Sequence, residues 1–150
     1  MENIEIRLRP ANLEDCKNLF QWRNAEETRT FFFDSFPIPW ENHHKWLENI
    51  LIDENRFLLI GEGDGHPVGV LRYDIKDNSA ECSVYLVPEM SGKGLGTALL
   101  KVGSEWVKKE FPDIKEIKAI IFPQNQSSLR AFTKAGYGEY YYVLKYDLQV

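Results

Sequence analysis

Residues 84–100 read VYLVPEMSGKGLGTALL, and this stretch decides the fold. An apolar strand ends before Pro88, a glycine-dense turn follows, and the turn opens directly into a helix. Gly92, Gly94 and Gly96 have no side chains, so a ligand can approach the backbone closely. The first amides of a helix lack internal partners and lie at its positive end. The stretch therefore predicts an anion site suited to a diphosphate, to which Lys93 adds positive charge.

The glycine spacing excludes the commoner phosphate loops. A Walker A loop needs two glycines four residues apart, followed by Lys and Ser or Thr, and this turn lacks that pattern. The dinucleotide fingerprint needs G-x-G-x-x-G early in a strand-helix-strand unit, whereas here G-x-G-x-G follows two predicted hairpins. The alternative is a glycine-rich connection that binds no ligand, and it would bear the conformational entropy cost of three glycines without a functional gain.

Outward from this stretch, hydrophobic periodicity predicts a mixed sheet flanked by helices in a single domain covering residues 1–150. Asn12, with Asp15 three residues later, forms a capping-box pattern, and turns are predicted at residues 63–65 and 77–78. The predicted strands are residues 4–8, 57–60, 68–75, 80–87 and 114–122, with a final strand or bent pair of strands at 137–148. The predicted helices are residues 13–23, 39–51, 95–111 and 127–135, with an aromatic loop or short irregular helix at 31–40.

Composition narrows the class of protein. The 150 residues have a net charge of −5, which disfavours nucleic acid as a partner. No apolar run predicts a membrane span or a signal peptide, so the expected location is cytoplasmic. Two cysteines, Cys16 and Cys82, are too few for a disulfide scaffold, and no metal site is expected. Residues 91–134 nevertheless hold 8 basic and 4 acidic side chains, which is typical of either an anionic ligand or a solvated helix face.

The glycine turn resembles the acetyl-CoA signature of the GNAT N-acetyltransferase superfamily, Gln/Arg-x-x-Gly-x-Gly/Ala after a Val-x-Pro strand end. Gly94 and Gly96 match its glycines, and Ser91 replaces its Gln or Arg. A downstream segment resembles the family's Asn-x-x-Ser/Ala-x-x-x-Tyr/Phe-x-Lys-x-Gly-Phe/Tyr. Its matching residues are Asn125, Ser128, Phe132, Lys134, Gly136 and Tyr137. The resemblance implies an α+β fold with a mostly antiparallel central sheet and a splay between the fourth and fifth strands.

The resemblance also implies acetyl-CoA as co-substrate, lying in that splay. The backbone of the fourth strand would pair with the pantetheine arm, and the glycine turn would hold the diphosphate. The residues so assigned are Tyr85, Leu86, Val87, Gly92, Lys93, Gly94, Leu95, Gly96, Thr97, Asn125, Ser128, Phe132 and Lys134. An amine would attack the thioester directly, without a covalent enzyme intermediate, so the cysteines are interpreted as core residues.

Glu81 and Asn125 are the catalytic candidates. Many relatives carry a carboxylate near Glu81 that deprotonates the amine, while the structural alternative pairs Glu81 with Arg72 across a hairpin. Asn125 would hold the pantetheine or the thioester site, and its structural alternative is a loop position beside a serine helix cap. Phe132 stands where many relatives have a tyrosine acid. A tyrosine at 137, 140, 141 or 142, or water, would then protonate the thiolate.

Acceptor choice in the superfamily resides in the first helices and the last strands. Segments around Trp22, Asn24, His44 and Trp46 resemble a branch acting on nucleotide-linked amino sugars, so these four are the candidate acceptor contacts. The expected partner is a small-molecule amine, and a second copy of the chain, in a homodimer, is the other candidate partner. Two alternatives stay open: acetylation of protein N-termini, and a non-catalytic acyl-CoA-binding module.

Overall fold

The centre of the protein is a five-stranded sheet, seen in a computed structural model that describes residues 4–29 and 36–149. The strands follow one another across the sheet in chain order, and each pair is antiparallel except the last, which is parallel. They are β1 (Ile6–Pro10), β2 (Arg56–Gly63), β3 (His66–Lys76), β4 (Ser79–Leu86) and β5 (Glu116–Lys118). The predicted α+β fold class is thereby confirmed.

Helices cover both faces of this sheet. They are α1 (Cys16–Asn24), α2 (Glu26–Arg29), α3 (Trp40–Ile52), α4 (Leu95–Glu110) and α5 (Gln126–Lys134). On one face, α4 and α5 bury a cluster that contains Leu71, Leu99 and Phe132. On the other, α1 and α3 bury a cluster that contains Leu19, Leu47 and Val70. Leu71 and Val70 are neighbours on β3, so strand alternation supplies one apolar residue to each layer.

Two local signals act as the sequence predicts. The β2–β3 hairpin turns through Asp64 and Gly65, both with positive φ, as a two-residue turn of this kind requires. Asn12 caps the start of the first helical segment, a 3₁₀ turn at Leu13–Asp15, in a complete capping box with Asp15. Arg9 holds the Asp15 carboxylate with two hydrogen bonds of 2.8 Å and keeps the pKa of that carboxyl below its usual value.

The carboxy-terminal half differs from prediction in two places. The fifth strand is only three residues long, not the predicted 114–122, because the chain leaves β4 after Lys118. The predicted strand at 137–148 is wrong, since residues 138–147 have no regular structure. A strand needs a neighbour to satisfy its backbone, and no strand among the described residues pairs with this segment. The predicted Phe31–Phe33 part of the aromatic loop lies outside the described residues.

Candidate functional site

A gap opens in the sheet where β4 and β5 part. The two strands pair only from Ser79 and Glu116 to Glu81 and Lys118, and beyond that no described strand borders β4 on this side. The backbone of β4 from Cys82 onward is thus left with an open edge. An extended amide-bearing ligand can pair with such an edge as an added strand would.

Backbone alternation decides which β4 residues face the gap. The N–H of Val87 donates to the carbonyl of Val68 on β3 at 2.8 Å. In an antiparallel pair successive residues direct their backbone groups to opposite sides. The N–H and C=O groups of Tyr85 and Val87 therefore point toward β3, whereas those of Val84 and Leu86 point toward the gap. Of the three residues predicted to pair with a ligand, Leu86 is the one so placed. Val84 was missed, although β4's own alternation offered the signal.

The glycine turn leads from the end of β4 to the start of α4. Gly92 and Gly94 have φ of 79° and 75°, the left-handed region that favours glycine, and Gly94 is the N-cap of α4. A Cβ built on either glycine would meet nothing within 4 Å. Glu89 also has a positive φ, 75°. The turn is therefore held in a special conformation whose outer surface faces open space.

The amides of this turn are free to bind a ligand. Met90 N–H donates to Val87 at 3.0 Å, and Ala98 N–H donates to Gly94 at 3.3 Å. Between them, no amide from Ser91 to Thr97 has a hydrogen-bond acceptor within the part of the chain that the structure describes. Because these donors gather at the positive end of a 16-residue helix, they form an anion site. Lys93 is exposed in the same turn.

The third glycine, Gly96, faces α5 rather than open space. A Cβ on Gly96 would lie 3.4 Å from the Cβ of Ala131 on α5. Position 96 therefore lies within ordinary van der Waals distance of α5, whereas open space lies beside Gly92 and Gly94. This contact makes the start of α4 a neighbour of α5.

Helix α5 begins and ends with recognisable caps. Asn125, not a serine, is its N-cap and accepts from the Ser128 amide at 3.2 Å. At the other end Gly136 has φ 107° and donates to Thr133, while Tyr137 N–H donates to Phe132 O. This is a Schellman motif, with its hydrophobic contact between the rings of Phe132 and Tyr137 at 4.8 Å. The downstream match thus includes a complete helix-capping pattern, and Lys134 is exposed in the last turn.

Beneath the gap lies a buried polar cluster of Tyr73, Cys82 and Tyr137. The hydroxyls of Tyr73 and Tyr137 are buried beside the Cys82 thiol and lack well-formed hydrogen bonds among the described residues. Burial raises the pKa of both tyrosines, and it raises the pKa of Cys82 to about 12. The thiol is therefore protonated at neutral pH and unsuited to act as a nucleophile.

Glu81 lies on the α1–α3 face, at the last residue of β4 that pairs with β5. It is exposed and stands opposite Asp74 of β3. Arg72 does not pair with it, because Arg72 binds the Asp74 carboxylate through two hydrogen bonds of 2.7 and 2.8 Å. No partner for the Glu81 carboxylate occurs in residues 4–29 or 36–149. A free carboxylate at the mouth of the gap can take up a proton.

The predicted acceptor contacts do not all share one place. Trp22 and Trp46 pack against the α1–α3 cluster together with Tyr85, on the same face as Glu81. Asn24 clamps the backbone of Ile38, accepting from its N–H at 2.7 Å and donating to its O at 2.9 Å. His44 pairs with Glu48 at 2.8 Å, half exposed on the outside of α3.

His43 is the neighbouring residue that sequence reasoning did not select. It is 2% exposed, lies among Phe20, Trp40 and Trp46, and its Nε2 has no hydrogen-bond partner among the described residues. Burial lowers the pKa of His43, and the positive charge of nearby Arg23 lowers it further. The two adjacent histidines thus differ, His43 being buried and His44 half exposed.

Neither a metal site nor a membrane-spanning helix occurs among the described residues. No group of three or more His, Cys, Asp or Glu side chains placed to hold a metal occurs in the described ranges. Nor does any helix there combine the length and apolarity needed to cross a membrane.

The comparisons agree with this geometry. A family model described as "Acetyltransferase (GNAT) domain" matches residues 5–138. Comparison of the sequence with curated proteins gives no match. A solved domain from Methanocaldococcus jannaschii is similar with a TM-score of 0.80 and 23% identity, over 92% of this chain and 91% of that one.

Two solved enzymes share the fold. The aminoglycoside acetyltransferase AAC(6')-Ib, in complex with coenzyme A and kanamycin, gives a TM-score of 0.77 at 21% identity, over 87% of this chain and 83% of that one. Spermidine N-acetyltransferase from Vibrio cholerae, in complex with CoA and spermine, gives 0.79 at 15% identity, over 88% and 80%.

Proposed function

The chain belongs to the GNAT acetyltransferase family, and from that premise we propose how its own residues carry out acetyl transfer from acetyl-CoA to a small-molecule amine. The proposal rests chiefly on the unpaired amides from Ser91 to Thr97 at the start of α4. These donors suit a diphosphate, and the open edge of β4 beside them suits the amides of a pantetheine arm.

Two features of the backbone support acetyl-CoA as the ligand of this site. Open space beside Gly92 and Gly94 leaves the backbone accessible to a phosphate. Val84 and Leu86 present their backbone to the gap, which leads from the glycine turn toward Glu81. When bound, acetyl-CoA supplies a thioester as the acyl donor. We assign Leu86, Val84, Gly92, Lys93 and Gly94 to its binding.

Glu81 is the proposed base. An amine acceptor must lose its ammonium proton before it can attack, and the free Glu81 carboxylate lies on the face that Trp22 and Trp46 share. For the leaving thiolate we propose water as the proton donor. Phe132 has no hydroxyl, and burial makes the Tyr137 hydroxyl a weaker acid by raising its pKa.

The acceptor is proposed from the residues on the Glu81 face. Trp22, Trp46 and Tyr85 offer half-buried aromatic surface for a sugar ring or a base. A nucleotide-linked amino sugar stays the preferred acceptor class, and a protein N-terminus is the alternative. The two solved enzymes form complexes with kanamycin and with spermine, small molecules that carry primary amines, which supports a small-molecule amine as the acceptor. A cytoplasmic location stays a prediction.

Acetyl transfer is tested by thiol release from acetyl-CoA with a panel of amines: amino-sugar nucleotides, aminoglycosides, spermidine and short peptides. We expect turnover on an amino-sugar nucleotide. Turnover on peptides alone would support N-terminal acetylation, and stabilisation by acetyl-CoA without turnover on any amine would support a binding module.

The role of Glu81 is tested by Glu81→Gln, with Glu116→Gln on β5 as the matched control. Both carboxylates are exposed, so we expect neither variant to lose stability. Glu81→Gln should lower kcat by about 10²–10⁴-fold, while Glu116→Gln should keep the wild-type kcat. An unchanged kcat in Glu81→Gln would assign the base elsewhere.

A further inference from the structure

The α1–α3 face of the sheet carries an uncovered polar surface beside Glu81. Strand pairing places two rows of residues side by side across β2, β3 and β4: Leu58, Arg72 and Ser83 in one row, and Arg56, Asp74 and Glu81 in the next. The helices bury Leu58, whereas the side chains of Arg72 and Asp74 are 31% and 32% exposed. Ser83 and Glu81 are exposed as well. This polar surface therefore lies open on the face where the acceptor is proposed to bind.

Arg72 is fixed in place while most of its hydrogen-bond donors stay open. Its Nε and Nη2 atoms donate to the two carboxylate oxygens of Asp74 at 2.8 and 2.7 Å. A guanidinium has five N–H donors, and no other acceptor for those of Arg72 occurs in the part of the chain that the structure describes. The edge formed by Nη1 and Nη2 is therefore open to a second oxyanion, which a planar guanidinium binds through two parallel hydrogen bonds.

The charges of the polar surface suit a ligand with one cationic and one anionic group. Asp74 neutralises Arg72, and Asp53 neutralises Arg56 in a contact of 2.8 Å. Of these five side chains, Glu81 is the one that has no ion-pair partner within residues 4–29 and 36–149. An ammonium group at Glu81 completes the balance, so an anion at the open edge of Arg72 meets no net negative charge. A second ammonium group there would instead meet the positive guanidinium.

We propose that Arg72, held by Asp74, selects an acceptor that carries an oxyanion, either a phosphate or a carboxylate, a short distance from its amine. This inference rests on the proposed acetyl transfer and names a property of its acceptor. Arg72 pairs with Ser83 and is thus the diagonal neighbour of Glu81, at about 7–8 Å between their Cα atoms. Tyr85 follows two residues after Ser83 on the same face. An acceptor with its amine at Glu81 therefore places its oxyanion at Arg72 and a more distant ring toward Tyr85.

Pairs of amines that differ only in the oxyanion test this selectivity. The pairs are glucosamine phosphate against glucosamine, and aminobutanoate against its amide. In at least one pair we expect kcat/KM to be about 10-fold or more higher for the member with the oxyanion, which is the effect of one charge-assisted hydrogen bond. A preference confined to the first pair assigns a phosphorylated acceptor, and one confined to the second assigns a carboxylate. Turnover with equal kcat/KM in both pairs would overturn the inference and leave acetyl transfer standing.

Arg72→Gln tests the residue itself, with Arg56→Gln as the matched control. Each arginine pairs with one carboxylate, and the two side chains are 31% and 28% exposed, so both variants lose a similar ion pair. In Arg72→Gln the ratio of kcat/KM between the two members of the preferred pair should fall to about one, mainly through a higher KM for the member with the oxyanion. Arg56→Gln should keep the wild-type ratio. Loss of the ratio in both variants, or in neither, would contradict the assignment to Arg72.

Binding separates this inference from the acetyl-transfer proposal. In the presence of coenzyme A, glucosamine phosphate or aminobutanoate should raise the Tm of the wild type and of Arg56→Gln more than that of Arg72→Gln, whether or not an amine is acetylated. Equal shifts in the three proteins would overturn the role of Arg72 even if amines are acetylated. Absence of thiol release with every amine, alongside the expected difference in Tm, would count against acetyl transfer and leave the oxyanion contact in place.

Discussion

Replacing Gly92 by alanine separates the ligand role of the glycine turn from its backbone strain. Gly92 has φ 79° and open space where a Cβ would stand. Gly65, in the β2–β3 turn, has φ 78° and the same open space. The two substitutions therefore impose the same local strain, but Gly92→Ala alone also places a methyl group on the proposed diphosphate site.

The expected magnitudes differ sharply between the two readouts. A side chain in the left-handed region costs about 1–2 kcal/mol, and each kcal/mol lowers the Tm of a protein of this size by about 2–4 °C. Both variants should lose this much. Loss of one charge-assisted hydrogen bond between the turn and a phosphate costs about 1.5–3 kcal/mol, or roughly 10- to 150-fold in Kd. Only Gly92→Ala should show this loss.

The assay is calorimetric titration of coenzyme A into each variant, with thermal unfolding run in parallel. We expect wild-type affinity in Gly65→Ala and weakened binding in Gly92→Ala at a similar Tm. If Gly92→Ala bound coenzyme A as tightly as Gly65→Ala does, the unpaired amides of the turn would not be the diphosphate site, and the assignment would be refuted.

Two further residues give separate tests. Asn125→Ala should lose about 1 kcal/mol of stability because the cap of α5 is lost, whereas Asn125→Asp keeps the cap and should restore both Tm and turnover. Burial lowers the pKa of His43 in the folded state. The neutral imidazole therefore contributes to stability above the unfolded pKa of about 6.5. This contribution declines as the pH falls toward the folded pKa, by at most about 1.4 kcal/mol per pH unit. The free energy of unfolding, measured between pH 5 and 8, should show this slope in His44→Gln but not in His43→Gln. Equal slopes in the two variants would assign the pH dependence to another group.

Local chemistry made much of the fold predictable. The Asp64-Gly65 turn, the Asn12–Asp15 capping box and helix α4 each depend on residues a few positions apart, which the sequence displays directly. The glycine turn was predictable for the same reason. The fold class followed from the order of these elements and from the resemblance that the turn supports.

The features that the sequence did not predict depend on contacts between residues that are distant in the chain. The segment predicted as a strand at 137–148 has the aromatic and β-branched composition of a strand, but pairing requires an edge, and β5 supplies only three residues. The contact between the start of α4 at Gly96 and Ala131 on α5 joins residues that are far apart in the chain. His43 shares the buried face of α3 with Leu47 and Ile50, a spacing that the sequence displays, whereas its contact with Phe20 depends on the packed fold.

Unpaired backbone groups characterise the proposed cofactor site, and the side chains beside them indicate what the site would bind. The turn from Ser91 to Thr97 offers amide donors next to an exposed lysine and bare glycines, so it suits a small anion. The edge of β4 at Val84 and Leu86 continues from that turn, so one extended ligand with an anionic end can satisfy both.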